Sequence, residues 1–84
     1  MLRPMPTLDR LTLATKFVAA LHDVSQRNPA EWRRISAIGA RMGIKGTQLD
    51  QVVADVVNLG LVKRRVDDPS FVTLTNEGWA IAKN

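Results

Sequence analysis

The sequence has no cysteine and only one histidine. Without cysteine, the chain can form neither a disulfide framework nor a thiolate metal site. One imidazole cannot supply the ligands of a zinc centre. We therefore predict no metal and no cofactor.

Patterns typical of catalytic sites are missing as well. The chain has no Gly-rich phosphate loop. Its nearest catalytic-looking set, His22, Asp23 and Ser25, falls on adjacent turns of a predicted helix, so the side chains point in different directions. We expect that the protein is not an enzyme, and we interpret His22 as an ordinary surface or boundary residue.

Long apolar runs are also absent. No stretch approaches the roughly 18 apolar residues of a membrane span, and the first ten residues, MLRPMPTLDR, lack the apolar run of a secretory signal. We expect a soluble, cytoplasmic protein with no membrane partner. A chain of 84 residues with 45% hydrophobic composition suits one compact domain with a modest core.

Positive charge is concentrated in the middle of the chain. From Arg33 to Arg65 there are seven cations and two anions, whereas the rest of the chain has five cations and six anions. The formal net charge of +4 therefore comes from this segment. Such a concentrated field predicts an anionic partner, and the alternative is a set of scattered, solvated surface cations.

The first periodic segment predicts a long helix. Residues 1–6 are expected to form a flexible arm, after which Thr7 can cap the helix. The helix should end near Arg27, because Asn28-Pro29 disfavours its continuation. Its apolar residues recur at helical spacing: Leu8, Leu11, Ala14, Phe17, Val18, Leu21 and Val24.

A short second helix is predicted at 35–44, with Ser36 as its cap and Gly43 as its stop. The sequence leaves open whether a brief strand runs through Trp32 before it. Small residues in this helix would permit close packing against a neighbour: Ala37, Gly39 and Ala40.

A third helix is predicted at 47–59, after a tight turn at 43–46. Thr47 as N-cap with Asp50 in the first turn is a variant of the capping box, and Gly60 ends the helix. A helical wheel places one set of residues toward the core: Leu49, Val52, Val53, Val56 and Leu59. It places another set on the exposed face: Thr47, Gln51, Ala54, Asp55 and Asn58.

After Gly60 the apolar period changes to two, which predicts a β-hairpin. Strands at 61–66 and 72–75 flank the turn sequence Asp-Asp-Pro-Ser at 67–70. The pattern does not assign Phe71 to either face. Thr75 can cap a short final helix through Ala82, in which Trp79 is expected to pack against the first helix.

The order of helix, short helix, tight turn, helix and hairpin resembles a winged helix-turn-helix. The resemblance implies a mainly α fold with a three-helix core, a wing and a short C-terminal helix, in a single domain at 7–84. The residues that carry it are Ile38 to Met42, Gly43-Ile44, the helix to Leu59, Gly60-Leu61-Val62-Lys63-Arg64 and Leu74-Thr75-Asn76-Glu77-Gly78. This pattern is similar to the DNA-binding domain of MarR-type transcriptional regulators.

The resemblance implies sequence-selective binding of double-stranded DNA by a small transcriptional regulator. The helix at 47–59 would lie in the major groove, with the wing at 61–75 on the flanking backbone. Polar groups of that helix are then the predicted base contacts: Thr47, Gln48, Gln51, Asp55 and Asn58. The flanking cations are the predicted backbone contacts: Arg33, Arg34, Arg41, Lys45, Lys63, Arg64 and Arg65.

The sequence also departs from the MarR pattern. The predicted recognition helix has no lysine or arginine, and the wing tip at 67–70 lacks the arginine that many MarR wings carry. The long dimerisation helices of that family have no counterpart, so no small-molecule ligand is inferred. The two aspartates of the third helix and the acidic wing tip favour the alternative function, a winged-helix module that binds a protein partner.

We also predict a homodimer through the first helix and the C-terminal helix. Leu13 and Ala20 would form a second apolar flank on the first helix, beside the arm at 3–6, and Trp79 would join them. In the alternative interpretation, Leu13 only widens the core stripe.

Overall fold

The computed structural model describes residues 8–83. Within this range the chain forms four helices and three strands, which are α1 (Leu8–Ser25), β1 (Arg33–Arg34), α2 (Ile35–Met42), α3 (Gly46–Asn58), β2 (Val62–Arg64), β3 (Phe71–Leu74) and α4 (Asn76–Lys83). The predicted mainly helical class with a small β component is confirmed. The arm at 1–6 and the predicted cap at Thr7 lie outside the described residues.

The strands form one antiparallel sheet in the order β1-β3-β2. Arg34 pairs with Phe71 across β1 and β3, and Arg64 pairs with Val72 across β2 and β3. The hairpin is therefore present. Its first strand is shorter than the predicted 61–66, and its second strand has the predicted length but begins one residue earlier, at Phe71. The strand that the sequence left open is β1, and it starts directly after Trp32.

The core lies between the helices and the inner face of the sheet. Its buried apolar residues come from α1, α2, α3, β2 and β3: Ala14, Phe17, Val18, Leu21, Ile38, Leu49, Val52, Val53, Val56, Val62, Val72 and Leu74. Two predicted core residues, Leu11 and Leu59, are instead 45% and 52% exposed. Leu59 is exposed because it follows the last residue of α3, where the chain leaves the core.

Glycines end α2 and α3 as the sequence predicts. At the end of α3, Gly60 has φ 76° and donates its N–H to the Val57 carbonyl, while Leu61 donates to the Val56 carbonyl. This is the Schellman arrangement, which satisfies the last helical carbonyls and favours glycine in the left-handed conformation. Gly43, with φ 75°, ends α2 in the same way.

The starts of α2 and α3 differ from the predictions. Arg34 and Lys45 occupy the N-cap positions, and neither side chain makes a capping hydrogen bond. The predicted caps at Ser36 and Thr47 are therefore wrong, and Asp50 lies beyond the first turn of α3. The physical reason is backbone geometry. β1 leads directly into α2, so α2 begins before Ser36, and the turn between α2 and α3 ends at a left-handed Gly46, so α3 begins before Thr47.

The closing helix α4 is capped and packed as predicted. Thr75 Oγ1 accepts a hydrogen bond of 3.1 Å from the Gly78 N–H, which is the geometry of a side-chain N-cap. The Trp79 ring meets the His22 ring edge-on at a centroid distance of 4.9 Å. This contact joins α4 to α1 and places His22, which is half-buried, at the boundary of the core.

The packing of α1 contradicts the prediction that Leu13 and Ala20 form an exposed dimer surface. Leu13 and Ala20 are half-buried and pack against the core, so they widen the core stripe and do not form a second exposed flank. Among the side chains of α1 and α4 that the structure describes, the exposed large apolar residues are instead Leu11 and Ile81. No helix within residues 8–83 is long and apolar enough to cross a membrane.

Candidate nucleic-acid interface

The solvent face of α3 carries neutral polar side chains. Leu49, Val52, Val53 and Val56 fix the opposite face in the core. Four of the predicted base contacts are consequently exposed: Thr47, Gln48, Gln51 and Asn58. Their hydroxyl and amide groups can both donate and accept hydrogen bonds, which is the chemistry that pairs with base edges.

Asp55 is not on this exposed face. Its residue exposure is 8%, and its carboxylate accepts two hydrogen bonds from Arg10, at 2.5 Å from Nη2 to Oδ1 and 3.1 Å from Nε to Oδ2. The predicted placement of Asp55 as an exposed base contact is therefore wrong. A helical wheel of α3 alone contains no information about α1, which supplies the Arg10 guanidinium at this position.

The ion pair also fixes the charge state of Asp55. Hydrogen bonding from Arg10 holds the pKa of Asp55 below its ordinary value, and a 3.2 Å hydrogen bond from Gln51 Nε2 adds to this effect, while burial opposes it. The same bond raises the pKa of Arg10. Asp55 is therefore a charged structural residue that links α1 to α3 and holds one end of the Gln51 amide.

Four of the seven predicted backbone contacts already bond within the protein: Arg33, Arg41, Arg64, whose Nη1 donates to the Pro69 carbonyl at 3.2 Å, and Arg65, whose Nε donates to Asp67 Oδ1 at 2.7 Å. Arg33 Nη2 donates to the Val24 carbonyl at 2.7 Å, which ties β1 to the end of α1. Arg41 Nη2 donates to Asp23 Oδ2 at 2.5 Å, which ties α2 to α1. Arg33 and Arg41 have structural partners, so they are less available to an external phosphate than the sequence indicates.

Four of the predicted backbone contacts form no salt bridge within the described part of the chain: Arg34, Lys45, Lys63 and Arg64. Two of them, Arg34 and Arg64, line an open groove of about 410 Å³ between α2, α3 and the hairpin. The groove is also lined by Asp50, so its two positive charges face one negative charge. This groove lies beside the start of α3.

The hairpin loop is held in shape by its own polar groups. Asp68 Oδ1 accepts hydrogen bonds from the Ser70 N–H at 3.1 Å and from Ser70 Oγ at 2.6 Å, and these bonds lower the pKa of Asp68. The Ser70 carbonyl accepts a 2.9 Å hydrogen bond from Ile35 N–H. The loop is thereby attached to the first residue of α2.

Two aromatic residues that were not among the predicted site residues, Trp32 and Phe71, lie beneath cations on the sheet. The guanidinium carbons of Arg34 and Arg65 lie 5.1 and 5.9 Å from the Phe71 ring centroid, and Lys63 Nζ lies 5.9 Å from that of Trp32. The alternation of β2 could have suggested that Lys63 and Arg65 share a face. The existence and register of β1 could not be derived from that pattern.

Comparisons with protein-family models, with curated proteins and with solved structures gave no match.

Proposed function

We propose that residues 8–83 form a winged helix-turn-helix domain that binds double-stranded DNA sequence-selectively, as a small transcriptional regulator. In this assignment α2, the short glycine-containing turn after it and α3 make the helix-turn-helix, and β2 and β3 make the wing. Short turns with glycine are typical of such helix pairs. The element order and the packing of α3 against α1 support the assignment.

The observation that carries this proposal is the composition of the exposed face of α3. Gln48, Gln51 and Asn58 present neutral amides, and Thr47 presents a hydroxyl. The charged groups near this face are mostly cations. Glutamine and asparagine can bond bidentately to adenine in the major groove. Without a cation of its own, α3 would recognise bases and leave phosphate binding to its neighbours.

Those neighbours are the cations around α3. Lys45 precedes the helix, and Arg34 and Arg64 line the groove beside it, so all three can contact phosphates flanking the bound bases. Phosphate contacts fix orientation and contribute affinity without selecting sequence. Arg33 and Arg41 contribute less in this proposal, because they already bond to Val24 and Asp23.

The alternative, a winged helix that binds a protein partner, depended on the acidic groups of α3 and the wing. The burial of Asp55 removes one of them from the surface, and Asp67 is paired with Arg65 at 2.7 Å. Only Asp50 remains as an exposed acid on α3. Duplex DNA is therefore the partner that the surface charge favours.

A salt titration of binding to random-sequence duplex DNA tests the proposal. Fluorescence anisotropy should show log K falling linearly with log[salt], because each neutralised phosphate releases counterions. Absence of duplex binding at low salt would contradict the proposal and favour the protein-binding alternative.

Sequence selectivity is tested next, with a duplex selected from a random pool. Asn58→Ala or Gln48→Ala should lower affinity for the selected duplex by about 1–3 kcal/mol and leave affinity for random duplex unchanged. Gln26→Ala, an exposed amide just after α1, is the matched control and should alter neither.

We also propose that the protein binds DNA as a homodimer through α1 and α4. A single recognition helix contacts one half-site, and two half-sites are commonly needed for specificity. The supporting observation is the pair of exposed apolar side chains Leu11 and Ile81 on these two helices. Analytical ultracentrifugation should give a dimer mass that Ile81→Lys converts to a monomer mass. A monomer in the unsubstituted protein, with one copy per duplex, would rule out the dimer.

A further inference from the structure

The sheet has two faces of different chemistry. The inner face carries Val62, Val72 and Leu74, which are buried against the helices. Because side chains alternate along a strand, the residues between them point the other way. On β2 and β3 these outward residues are Lys63, which is exposed, Phe71, which is half-buried, and Thr73, which is only 9% exposed.

The strand register arranges the outward residues in two rows. In one row Arg34 lies opposite Phe71, and the Arg65 N–H donates to the Phe71 carbonyl from the other side. In the second row Lys63 lies opposite Thr73 on β2 and β3. Trp32 precedes β1, so the register of β1 with β3 places it on the other side of Thr73. We call these six residues the outer sheet face: Trp32, Arg34, Lys63, Arg65, Phe71 and Thr73.

Each row combines an aromatic ring with positive charge. Phe71 lies under two guanidinium groups, and the Trp32 ring lies under the Lys63 ammonium, all within 6 Å of the ring centroids. Such contacts hold a cation and a planar surface side by side. Two acidic residues lie near these cations: Asp67 pairs with Arg65, and Asp68 is within electrostatic range of Arg34 and Arg65. The three cations of the outer sheet face still outnumber them.

We propose that the outer sheet face binds single-stranded nucleic acid. Bases would stack on Trp32 and on the guanidinium planes above Phe71, while Lys63 would contact the phosphate backbone. Grooves for single strands combine cations that follow the backbone with planar groups on which bases stack. This site differs from the exposed face of α3 in position and in ligand, although Arg34 lies over Phe71 and also lines the groove beside α3. The proposal does not rest on duplex binding by α3.

The composition favours a single strand over an acidic peptide. An acidic peptide requires cations alone, and the two half-buried aromatic rings would add little to its binding. Stacked bases use both groups: every base offers a planar face, and every linkage offers a phosphate. A duplex keeps its bases stacked internally and offers the outer sheet face only phosphates.

The fluorescence of Trp32 provides a direct test. The Trp79→Phe variant leaves Trp32 as the only tryptophan, because the sequence has two. Addition of an oligodeoxythymidine of about ten nucleotides should quench its emission in a saturable way. The same concentration of polyglutamate or of duplex DNA should give little quenching.

Substitutions test the aromatic contribution separately. Trp32→Leu and Phe71→Leu should each weaken binding of a fluorescein-labelled oligodeoxythymidine by about fivefold or more. Lys16→Ala removes one exposed cation from α1 and should weaken it far less. Circular dichroism and thermal melting verify that each variant is folded. The quenching experiment does not use the Trp32→Leu or Phe71→Leu substitution, so it tests the proposal even if these variants do not fold.

Three results would overturn the proposal: no saturable quenching of Trp32 by the single strand, equal quenching by polyglutamate, or unchanged affinity in a folded Trp32→Leu variant. Duplex binding that survives any of these results would leave the assignment of α3 intact. Conversely, single-strand binding without duplex binding would support the outer sheet face and contradict the duplex proposal.

Discussion

Arg10 and Asp55 join α1 to α3 by a two-point ion pair. Nη2 and Nε of the guanidinium each donate to a different carboxylate oxygen, at 2.5 and 3.1 Å. The Asp55 side chain is 9% exposed, whereas that of Arg10 is 40% exposed. The pair therefore lies at the edge of the core, with its acidic member enclosed and its basic member partly in solvent.

Asp55→Ala should destabilise the fold. The substitution removes the carboxylate that accepts hydrogen bonds from Arg10 and Gln51. We expect the free energy of unfolding to fall by about 1–2 kcal/mol. This is at the lower end of values for charged hydrogen bonds, because solvent partly screens Arg10. Urea denaturation measures the change. Asp50→Ala, an exposed acid on the same helix, is the control and should stay within about 0.5 kcal/mol. Equal effects of the two substitutions would contradict a structural role for the ion pair.

The same pair predicts a pH dependence. The folded-state pKa of Asp55 is lowered, so its stabilisation is fully present above the unfolded value, about 3.9, and is lost as pH falls through the folded value. The stability difference between the protein and its Asp55→Asn variant should be constant near neutrality and should shrink below about pH 4. Thermal unfolding from pH 7 to pH 2.5 measures it. A difference that stays constant over this range would indicate that Asp55 has an unperturbed pKa.

Gly39→Ala should be destabilising, although alanine is favoured over glycine inside helices by about 1 kcal/mol. A Cβ at this position would lie 2.6 Å from Leu49 Cδ2 and 2.8 Å from the Ile44 carbonyl oxygen. We expect a net loss of about 1–3 kcal/mol in chemical denaturation, because α2 and the turn before α3 must separate. Ala37→Gly, at an exposed position of α2, is the control and should lose only about 1 kcal/mol. A stabilising Gly39→Ala would show that α2 and α3 can separate freely.

Arg64→Ala should reduce the salt dependence of the proposed duplex binding. Arg64 lines the groove beside α3 and forms no salt bridge within residues 8–83. Its Nη1 donates to the Pro69 carbonyl, which leaves its charge without a carboxylate partner and able to contact a phosphate. The slope of log K against log[salt] should fall in magnitude by about 0.9 for one lost contact. Arg41→Ala, which removes a cation paired with Asp23, should change the slope less. If both variants leave the slope unchanged, the groove residues do not contact the DNA phosphates.

Local chemistry made much of this architecture predictable. The apolar periods identified the helices and the hairpin, and the left-handed conformations of Gly43 and Gly60 follow from the preference for glycine at helix ends. The cap at Thr75 depends on contacts within one turn. Each of these features involves residues close together in sequence, so a single sequence is sufficient to find them.

Features that depend on distant residues were not predictable in the same way. Asp55 appeared exposed because its partner, Arg10, lies 45 positions away. The strand β1 has two residues, and its pairing with β3 required the packed positions of both helices between them. The outer sheet face depends on that pairing, so its aromatic residues could not be recognised from sequence spacing.

The pairing of β1 with β3 also bears on how the chain folds. These strands come before α2 and after α3, so their pairing closes a loop that contains both helices. Loop closure costs chain entropy before the contacts that it permits are formed, and such long-range pairings slow folding. We therefore expect the helices to associate first and β1 to join last. In native-state hydrogen exchange, the amides of β1 should be the least protected in the sheet.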